Sequence, residues 1–223
     1  MKRNINLIIA AHPDDEVLGC GGLIKKVSKT ENCFVLILSS GAETRYKKSM
    51  EDILKNNALK SNHILGTKET FFENLPNQKM DTLPILKITQ LIERYIKKIK
   101  PTRVFTHHIG DLNKDHQVVA EATITACRPI VGQIVKELYS YNVPSSTEWN
   151  EIEGEKNFIP NTFIDIKDEL KYKIKAMKCY KSECREYPHP RSPKALKTHS
   201  NYWGLVTGLE YAEPFKLIRR LSF

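Results

Sequence analysis

The turn after the first apolar segment of the chain carries a histidine and three acids. Residues 5–11 form an apolar run typical of a buried strand, and His12-Pro13-Asp14-Asp15-Glu16 follows it directly. Ligands of open α/β sheets bind at the carboxyl ends of the strands. The nearby glycines lack the GxGxxG spacing of a dinucleotide-binding turn, and the acids would repel a pyrophosphate. An imidazole beside carboxylates favours a divalent cation at this position instead.

A second cluster follows the strand predicted over residues 103–107. It contains His107, His108 and His116, so four of the seven histidines lie at two predicted strand ends. In a parallel sheet these two ends lie at the same edge. A His and an Asp from the first turn, with a His from the second, would form a His2Asp set. Such a set leaves a coordination position for water, as a catalytic zinc site requires.

These motifs resemble those of the LmbE-like, or PIG-L, family of zinc-dependent N-deacetylases. The resemblance rests on residues 11–16, on Asp115-His116, and on Ala212-Glu213-Pro214-Phe215 near the C-terminus, so it spans most of the chain. It implies a Rossmann-like, three-layer α/β/α fold with a mostly parallel sheet. It also implies hydrolysis of the N-acetyl group of amino sugars or their conjugates.

The resemblance assigns a role to each residue of the two clusters. It implies that His12, Asp15 and His116 bind the metal and that Asp14 is the general base. Bonded to a cation, Asp15 would keep a low pKa, whereas Asp14 could accept a proton from the metal-bound water. Bound zinc lowers the pKa of that water to roughly 7. We expect Zn²⁺ as the cofactor and leave Fe²⁺ open, because a His2Asp set accepts either ion.

The chain departs from the family pattern at Asn113, where many relatives have a histidine that acts as an acid or stabilises the oxyanion. An amide can donate a hydrogen bond to an oxyanion but cannot deliver a proton. The leaving amine must then receive its proton from another group. His108 and a recycled Asp14 are the two candidates.

Four further residues are candidates for supporting roles. Asp111 and Asp115 are predicted to be turn and cap residues, or to orient a site histidine from behind. His189 and Arg191 lie in a proline-rich segment, residues 188–192. That segment is either a plain turn or a substrate-side loop in which Arg191 binds a phosphate or carboxylate.

The elements that must position these residues follow from the apolar pattern. Strands that alternate with helices predict a mostly parallel sheet with helices on both faces. The clearest helix covers residues 84–100, where isoleucines recur at helical spacing between two prolines. The predicted strands are 5–11, 33–40, 69–73, 103–107 and 137–142, and the predicted helices are 21–29, 47–60, 84–100 and 115–127, the last one capped by Asp115.

The remainder of the chain, from about residue 144, is less regular. It has a turn-rich stretch over residues 143–160, a predicted strand over 163–166 and a predicted helix over 167–181. The sequence contains no internal repeat and no low-complexity segment. We therefore expect one domain over residues 1–223, with an elaborated C-terminal part.

Composition excludes several other classes of protein. The chain has 223 residues, 40% of them hydrophobic and 27% charged, as in ordinary globular proteins. Its formal net charge of +9 comes from scattered lysines without a recognition motif, so we expect a solvated surface and no nucleic-acid partner. No apolar run approaches the roughly 20 residues of a membrane span, and no stable membrane association is expected. Five cysteines without a CxxC pair favour reduced thiols and a cytoplasmic location.

Together these features predict a metal-dependent hydrolase that deacetylates a small N-acetylated sugar, such as a glycoconjugate or a nucleotide sugar. One alternative is a metal-dependent hydrolase of another bond, such as a phosphoester, although a two-metal phosphatase needs more bridging carboxylates. The other is a basic binding module with an inactive metal site. The sequence leaves the sugar, the acyl group and the formation of a homo-oligomer open.

Overall fold

The computed structural model describes residues 3–39, 50–150, 154 and 156–222. Seven strands and six helices alternate along most of the described chain, as the apolar pattern predicts. The strands are β1 (Ile5–Ala10), β2 (Asn32–Ser39), β3 (Glu69–Leu75), β4 (Arg103–His107), β5 (Glu137–Tyr141), β6 (Thr162–Asp165) and β7 (Ala212–Arg220). The helices are α1 (Asp15–Val27), α2 (Glu51–Leu65), α3 (Ile85–Ile99), α4 (Lys114–Ala126), α5 (Leu170–Met177) and α6 (Pro193–Thr207).

All seven strands form one sheet in the order β3-β2-β1-β4-β5-β7-β6. The first five strands are parallel, whereas β7 is antiparallel to β5 and to β6. Strand β1 lies between β2 and β4. The chain therefore continues from β1 to β2 and β3 on one side, and then crosses to β4 on the other side. A crevice opens at the carboxyl ends of two strands that are related in this way. The two predicted clusters follow β1 and β4 and therefore meet there.

Buried side chains on both faces of the sheet produce three layers. Leu7 and Ile9 of β1 belong to a core with residues of α3 and α4. Ile8 and Ala10 belong to a second core with residues of α1, α2 and α5. This alternation is what a strand buried on both faces requires, and it confirms the predicted three-layer α/β/α fold with a mostly parallel sheet. Within the described ranges, no helix has the length and apolar character needed to cross a membrane.

Several element boundaries differ from those predicted. Helix α1 begins at Asp15 rather than residue 21, because its glycines serve close packing and do not form a loop. A Cβ on Gly22 would lie 2.5 Å from Ile166 Cγ2, and one on Gly19 would overlap the ring of Tyr141. Helix α5 is shorter than the predicted 167–181, and sequence patterns missed α6 and β7. Residue 40 and residues 47–49 of two predicted elements lie outside the described residues.

A buried ion pair fastens the C-terminal part of the chain to helix α1. Glu213 of β7 accepts hydrogen bonds from the backbone N–H groups of Gly22 and Leu23, each at 2.7 Å. Lys173 of α5 donates to Glu213 Oε1 at 2.6 Å and to the Leu18 carbonyl at 2.8 Å. These backbone groups lie in the interior of α1. The pair therefore fixes the helix that carries the acidic turn.

Candidate metal centre and catalytic cleft

Three side chains converge at the crevice between β1 and β4. His12 Nδ1 lies 3.2 Å from His116 Nε2 and 3.4 Å from Asp15 Oδ2. Asp15 Oδ2 lies 3.3 Å from His116 Nε2, which closes the triangle. Within the described residues, these three form the one group of His, Cys, Asp and Glu side chains that could hold a metal ion. The structure thus brings together the three residues that were predicted as ligands.

The donor set and its spacing fit a tetrahedral zinc ion. Three ligand atoms at the usual zinc distances of about 2.0–2.1 Å lie about 3.3–3.4 Å from one another in a tetrahedral arrangement. Each histidine also turns its second nitrogen to a carboxylate. His12 Nε2 lies 2.9 Å from Asp115 Oδ2, and His116 Nδ1 lies 3.1 Å from Asp111 Oδ1. Carboxylate partners of this kind fix the tautomer and orientation of metal-binding histidines.

Asp115 is fully buried and does not cap helix α4, so the predicted cap is wrong. The cap is Asn113, whose Oδ1 accepts a hydrogen bond from the backbone N–H of Asp115 at 2.9 Å. This leaves the Asp115 carboxylate to accept from the N–H groups of Gln78, at 2.7 Å, and Met80, at 3.0 Å. The loop after β3 is thereby tied to the carboxylate that faces His12.

Asp111 holds His116 from the opposite side. Its carboxylate accepts hydrogen bonds from Ser146 Oγ, Thr147 Oγ1 and the backbone N–H of Asn113. Burial alone would lower the pKa of His116, but the carboxylates of Asp15 and Asp111 raise it to about 10. This surplus of negative charge around the imidazole suits a cation, and metal binding at such a ring releases its proton.

His107 supports the site without facing the cleft. Its Nε2 accepts a hydrogen bond from the backbone N–H of Ala11 at 2.9 Å, so the ring proton resides on Nδ1. The ring stacks on that of His116 with the two centroids 4.0 Å apart. Burial and, to a lesser extent, the neighbouring His116 lower the pKa of His107 to about 3. His107 is therefore a neutral packing partner of the candidate ligand.

Asp14 adjoins Asp15 in sequence but lies outside the group of three candidate ligands. It adopts a φ of 109°, a left-handed conformation that costs a non-glycine residue energy and is typical of functional sites. Its Oδ2 accepts a hydrogen bond from Arg191 Nη1 at 2.9 Å. Burial raises the pKa of Asp14 well above its usual value, and the Arg191 guanidinium opposes this rise. The sequence left two interpretations open for the segment around Arg191, a plain turn or a substrate-side loop. Neither of them predicted a contact with Asp14.

The structure places His108 outside the cleft. Its Nε2 lies 2.8 Å from the Lys156 carbonyl, which can only accept, so this nitrogen carries the proton and donates it there. Burial lowers the pKa of His108, which makes the imidazolium form less stable. Asn113, in contrast, lines the cleft, and its Nδ2 group remains as a donor because its Oδ1 caps α4.

The cleft above the candidate metal ligands has a volume of about 310 Å³. This is at the small end of the range for ligand pockets. Its walls are mainly polar, and they include His189, Arg185 and the half-exposed ring of Trp149. The Trp149 ring packs edge-to-face on His189 with a centroid distance of 5.9 Å.

Sequence reasoning missed several residues of this site. The loop after β3 supplies Asn77 and Gln78 to the cleft, and its position could have been inferred, since β3 is parallel to β1 and ends at the same edge. Ser145, Glu183 and Trp149 come from segments far along the chain that lie outside the sheet and the α-helices. Nothing in their local sequence indicates that they lie at the site.

Comparison with known proteins identifies the family of the chain. The sequence model of the family described as PIG-L: GlcNAc-PI de-N-acetylase matches residues 7–127. The uncharacterized deacetylase YaiS of Escherichia coli (strain K12) is 30% identical over 191 residues, which cover 81% of this chain and 92% of that protein.

Solved structures share the whole fold at lower identity. The N,N'-diacetylchitobiose deacetylase from Pyrococcus horikoshii matches with a TM-score of 0.78 at 20% identity, over 97% of this chain and 84% of that one. GalB, the 4-carboxy-2-hydroxymuconate hydratase from Pseudomonas putida KT2440, matches with a TM-score of 0.75 at 18% identity, over 98% of both chains. These likenesses establish the fold, and GalB shows that the fold also serves another reaction. The sequence matches go further and confirm the predicted resemblance: the chain belongs to the PIG-L, or LmbE-like, family of deacetylases.

Proposed function

We propose that this protein is a zinc-dependent hydrolase that removes the N-acetyl group from an N-acetylated amino sugar or its conjugate. The observation that carries the proposal is the triangle of His12, Asp15 and His116, with Asp14 lining the same cleft as His12 and Asp15. Three residues can bind the metal, and a different carboxylate beside them can act as the base. Hydrolysis of an amide by an activated water needs both.

In this proposal His12, Asp15 and His116 hold the zinc ion. When bound, zinc lowers the pKa of a coordinated water to about 7 and polarises a carbonyl oxygen. Coulombic and hydrogen-bonding interactions with His116 lower the pKa of Asp15, overcoming the rise that burial alone would cause. Asp15 therefore stays a carboxylate, as a ligand must.

Asp14 takes the proton of the attacking water in this scheme. Burial makes its carboxylate a stronger proton acceptor than an exposed one, and the Arg191 contact stabilises the charged form that has to be present first. The two effects act in opposite directions on the pKa of Asp14, and the effect of burial is the larger one.

Two further steps are assigned to residues of the cleft. Asn113 Nδ2 is placed to donate a hydrogen bond to the oxyanion, since its Oδ1 is engaged by the α4 cap. Asp14, once protonated, returns its proton to the leaving amine. His108 is the less suitable donor because its Nε2 proton is committed to the Lys156 carbonyl.

The sugar part of the proposal is supported by the walls of the cleft. Trp149 is 47% exposed and lines the cleft together with polar groups of Gln78, Asn113 and His189. An aromatic ring with hydrogen-bonding neighbours suits the apolar face and hydroxyl groups of a sugar ring. The small cleft suits one sugar residue, with any conjugated group outside it.

Two alternatives to this function were left open by the sequence. One is a metal-dependent hydrolase of phosphoesters, and the other is a basic binding module with an inactive metal site. A two-metal phosphatase has two ions about 3.5–4 Å apart with carboxylates that bridge them. Asp111 and Asp115 each face the outer nitrogen of a histidine, which disfavours a bridging role for them. A metal-to-protein ratio near one is therefore expected.

The proposal is tested by amine release from N-acetylglucosamine, N-acetylgalactosamine and nucleotide sugars that carry them. Wild type and Asp14→Asn are compared at equal zinc content, with Asp168→Asn as the control because Asp168 is exposed and does not line the cleft. Release by wild type and the control, with at least a hundredfold loss in Asp14→Asn, would support the reaction and the base together. Release that survives in Asp14→Asn would remove Asp14 from its role. Absence of release at one equivalent of zinc, with phosphoester cleavage instead, would favour the alternative.

A further inference from the structure

Arg191 contacts the proposed base from a part of the chain that the family model does not match. The model ends at residue 127, whereas Arg191 is 177 residues from Asp14 in sequence. Its Nη1 lies 2.9 Å from Asp14 Oδ2 and 3.1 Å from Glu183 Oε2, and its Nε donates to Ser145 Oγ at 2.7 Å. One guanidinium thus joins two carboxylates and a hydroxyl group at the edge of the cleft.

The backbone of Arg191 is fixed on both sides. Its own N–H donates to His189 Nδ1 at 3.1 Å. The next residue, Ser192, caps helix α6 by accepting a hydrogen bond from the N–H of Ala195, and Pro193 begins that helix. The guanidinium therefore projects from an ordered helix start and not from a free loop.

The far partner of the guanidinium is fixed as well. Ser145 adjoins Ser146 and Thr147, whose hydroxyl groups donate to Asp111. Asp111 in turn faces His116. A chain of contacts therefore runs from the proposed base, through Arg191 and the turn at residues 145–147, to a candidate metal ligand on the other side of the site.

We propose that Arg191 is the positioning residue for Asp14, an inference that rests on the proposed function. The guanidinium holds Oδ2 and leaves Oδ1 as the oxygen that takes the proton. It also keeps the Asp14 carboxylate, which adjoins Asp15 in sequence, from turning to the metal as an additional ligand. A planar guanidinium with several donors in a fixed arrangement suits this task better than the single ammonium of lysine.

This role differs from the binding of a substrate anion. Nη1 is already shared by two carboxylates, and a substrate phosphate or carboxylate that bound this nitrogen would displace an ion pair whose acidic partner, Asp14, is 2% exposed. Leaving a buried carboxylate without its partner is costly. The geometry therefore points to a permanent contact with the base.

Activity tests the proposal first. Arg191→Ala, Arg191→Lys and wild type are compared with Arg94→Gln, a change of an exposed arginine on α3. We expect Arg191→Ala to lower kcat at least about thirtyfold with KM changed less than threefold at unchanged zinc content. Millimolar guanidinium should restore part of the kcat of Arg191→Ala, and lysine should restore part of it without additives. A kcat within threefold of wild type, a loss that guanidinium and lysine both fail to restore, or an equal loss in Arg94→Gln would overturn it.

Zinc affinity tests the same proposal without turnover. It is measured by competition with a chromogenic chelator for wild type, Arg191→Ala, Asp14→Asn and the double variant. If Arg191 keeps Asp14 off the metal, its removal tightens zinc binding severalfold when Asp14 is present and much less when residue 14 is Asn. Equal changes in both backgrounds would show a general charge effect and overturn the proposal. If wild type releases no amine from any sugar, the proposed function fails. The comparison of zinc affinities among these four proteins still decides whether Arg191 positions Asp14.

Discussion

Replacing Asp115 by Asn tests whether the carboxylate behind His12 sets the metal affinity of the site. The side chain is fully buried and meets three donors: His12 Nε2 at 2.9 Å, Gln78 N at 2.7 Å and Met80 N at 3.0 Å. Burial alone would raise the pKa of Asp115, but the hydrogen bond with His12 and the backbone donors hold it below the usual value. The native group is therefore an anion at neutral pH, and the amide removes its charge.

The size of the effect follows from these contacts. The two carboxylate oxygens of Asp115 now accept hydrogen bonds from all three donors. An amide has only one acceptor oxygen, so its NH2 group must face at least one of these donors. A buried donor left unpaired costs about 1–3 kcal/mol. Loss of a carboxylate behind a metal-binding histidine weakens metal binding about 10–100-fold, or about 1.4–2.7 kcal/mol.

The assay separates the two effects. Zinc affinity is measured by competition with a chromogenic chelator, and the free energy of unfolding is measured by urea titration in excess chelator. Asp168→Asn is the matched control, since it removes the same charge from an exposed position in another segment of the chain. We expect weaker zinc binding and lower stability of the metal-free protein in Asp115→Asn, and neither in the control.

Two results would refute this reasoning. If zinc affinity in Asp115→Asn stays within twofold of wild type, the carboxylate does not tune His12, and a different ligand set must be considered. If affinity falls while the metal-free protein keeps its full stability, the backbone contacts of Asp115 have less weight than the structure implies.

Three other changes test the cleft, the packing and a buried histidine. Trp149→Leu should raise KM for an N-acetylated sugar up to about tenfold, with kcat less affected, because the specific contacts of an aromatic ring contribute about 0.5–1.5 kcal/mol; an unchanged KM would exclude the ring from sugar binding. Gly22→Ala should lower the free energy of unfolding by about 1–3 kcal/mol, because its Cβ would lie 2.5 Å from Ile166 Cγ2; native stability in thermal and urea unfolding would contradict this packing. Burial lowers the pKa of His199 to about 4, so the unfolded chain, with a pKa near 6.5, takes up a proton first as the pH falls. Wild type should therefore lose up to about 3 kcal/mol of stability between pH 6.5 and 4 that His199→Gln keeps, and parallel stability curves for the two would refute it.

Local sequence predicted much of the fold. The apolar runs that became β1, β2 and β4 are buried on both faces of a parallel sheet, so they are continuous and easily recognised. Helix α3 was predicted to within one residue at each end, since Pro84 precedes it and Lys100 ends it just before Pro101. The start of α1 was missed because its glycines are typical of a loop, and only contacts with Tyr141 and Ile166 explain them.

The candidate ligands were also within reach of the sequence. His12, Asp15 and His116 follow two strands of a predicted parallel sheet, and the carboxyl ends of such strands meet at one edge. Strand periodicity and residue type predicted a His2Asp set from the two turns, and the family resemblance selected these three residues. The same sequence patterns predicted Asp115 as the cap of helix α4. In the structure the cap is Asn113, and Asp115 faces His12 instead.

Tertiary structure alone decided which groups support the chemistry. Arg191 reaches Asp14 from the C-terminal part, and the turn at residues 145–147 reaches Asp111, across more than 30 positions of sequence in each case. Contacts of this kind leave no periodic pattern, because they join loops rather than regular elements. The sequence determined the strands and the residues at their ends. The packing of the C-terminal part against them determined which carboxylate is held, by which partner, and on which side of the cleft.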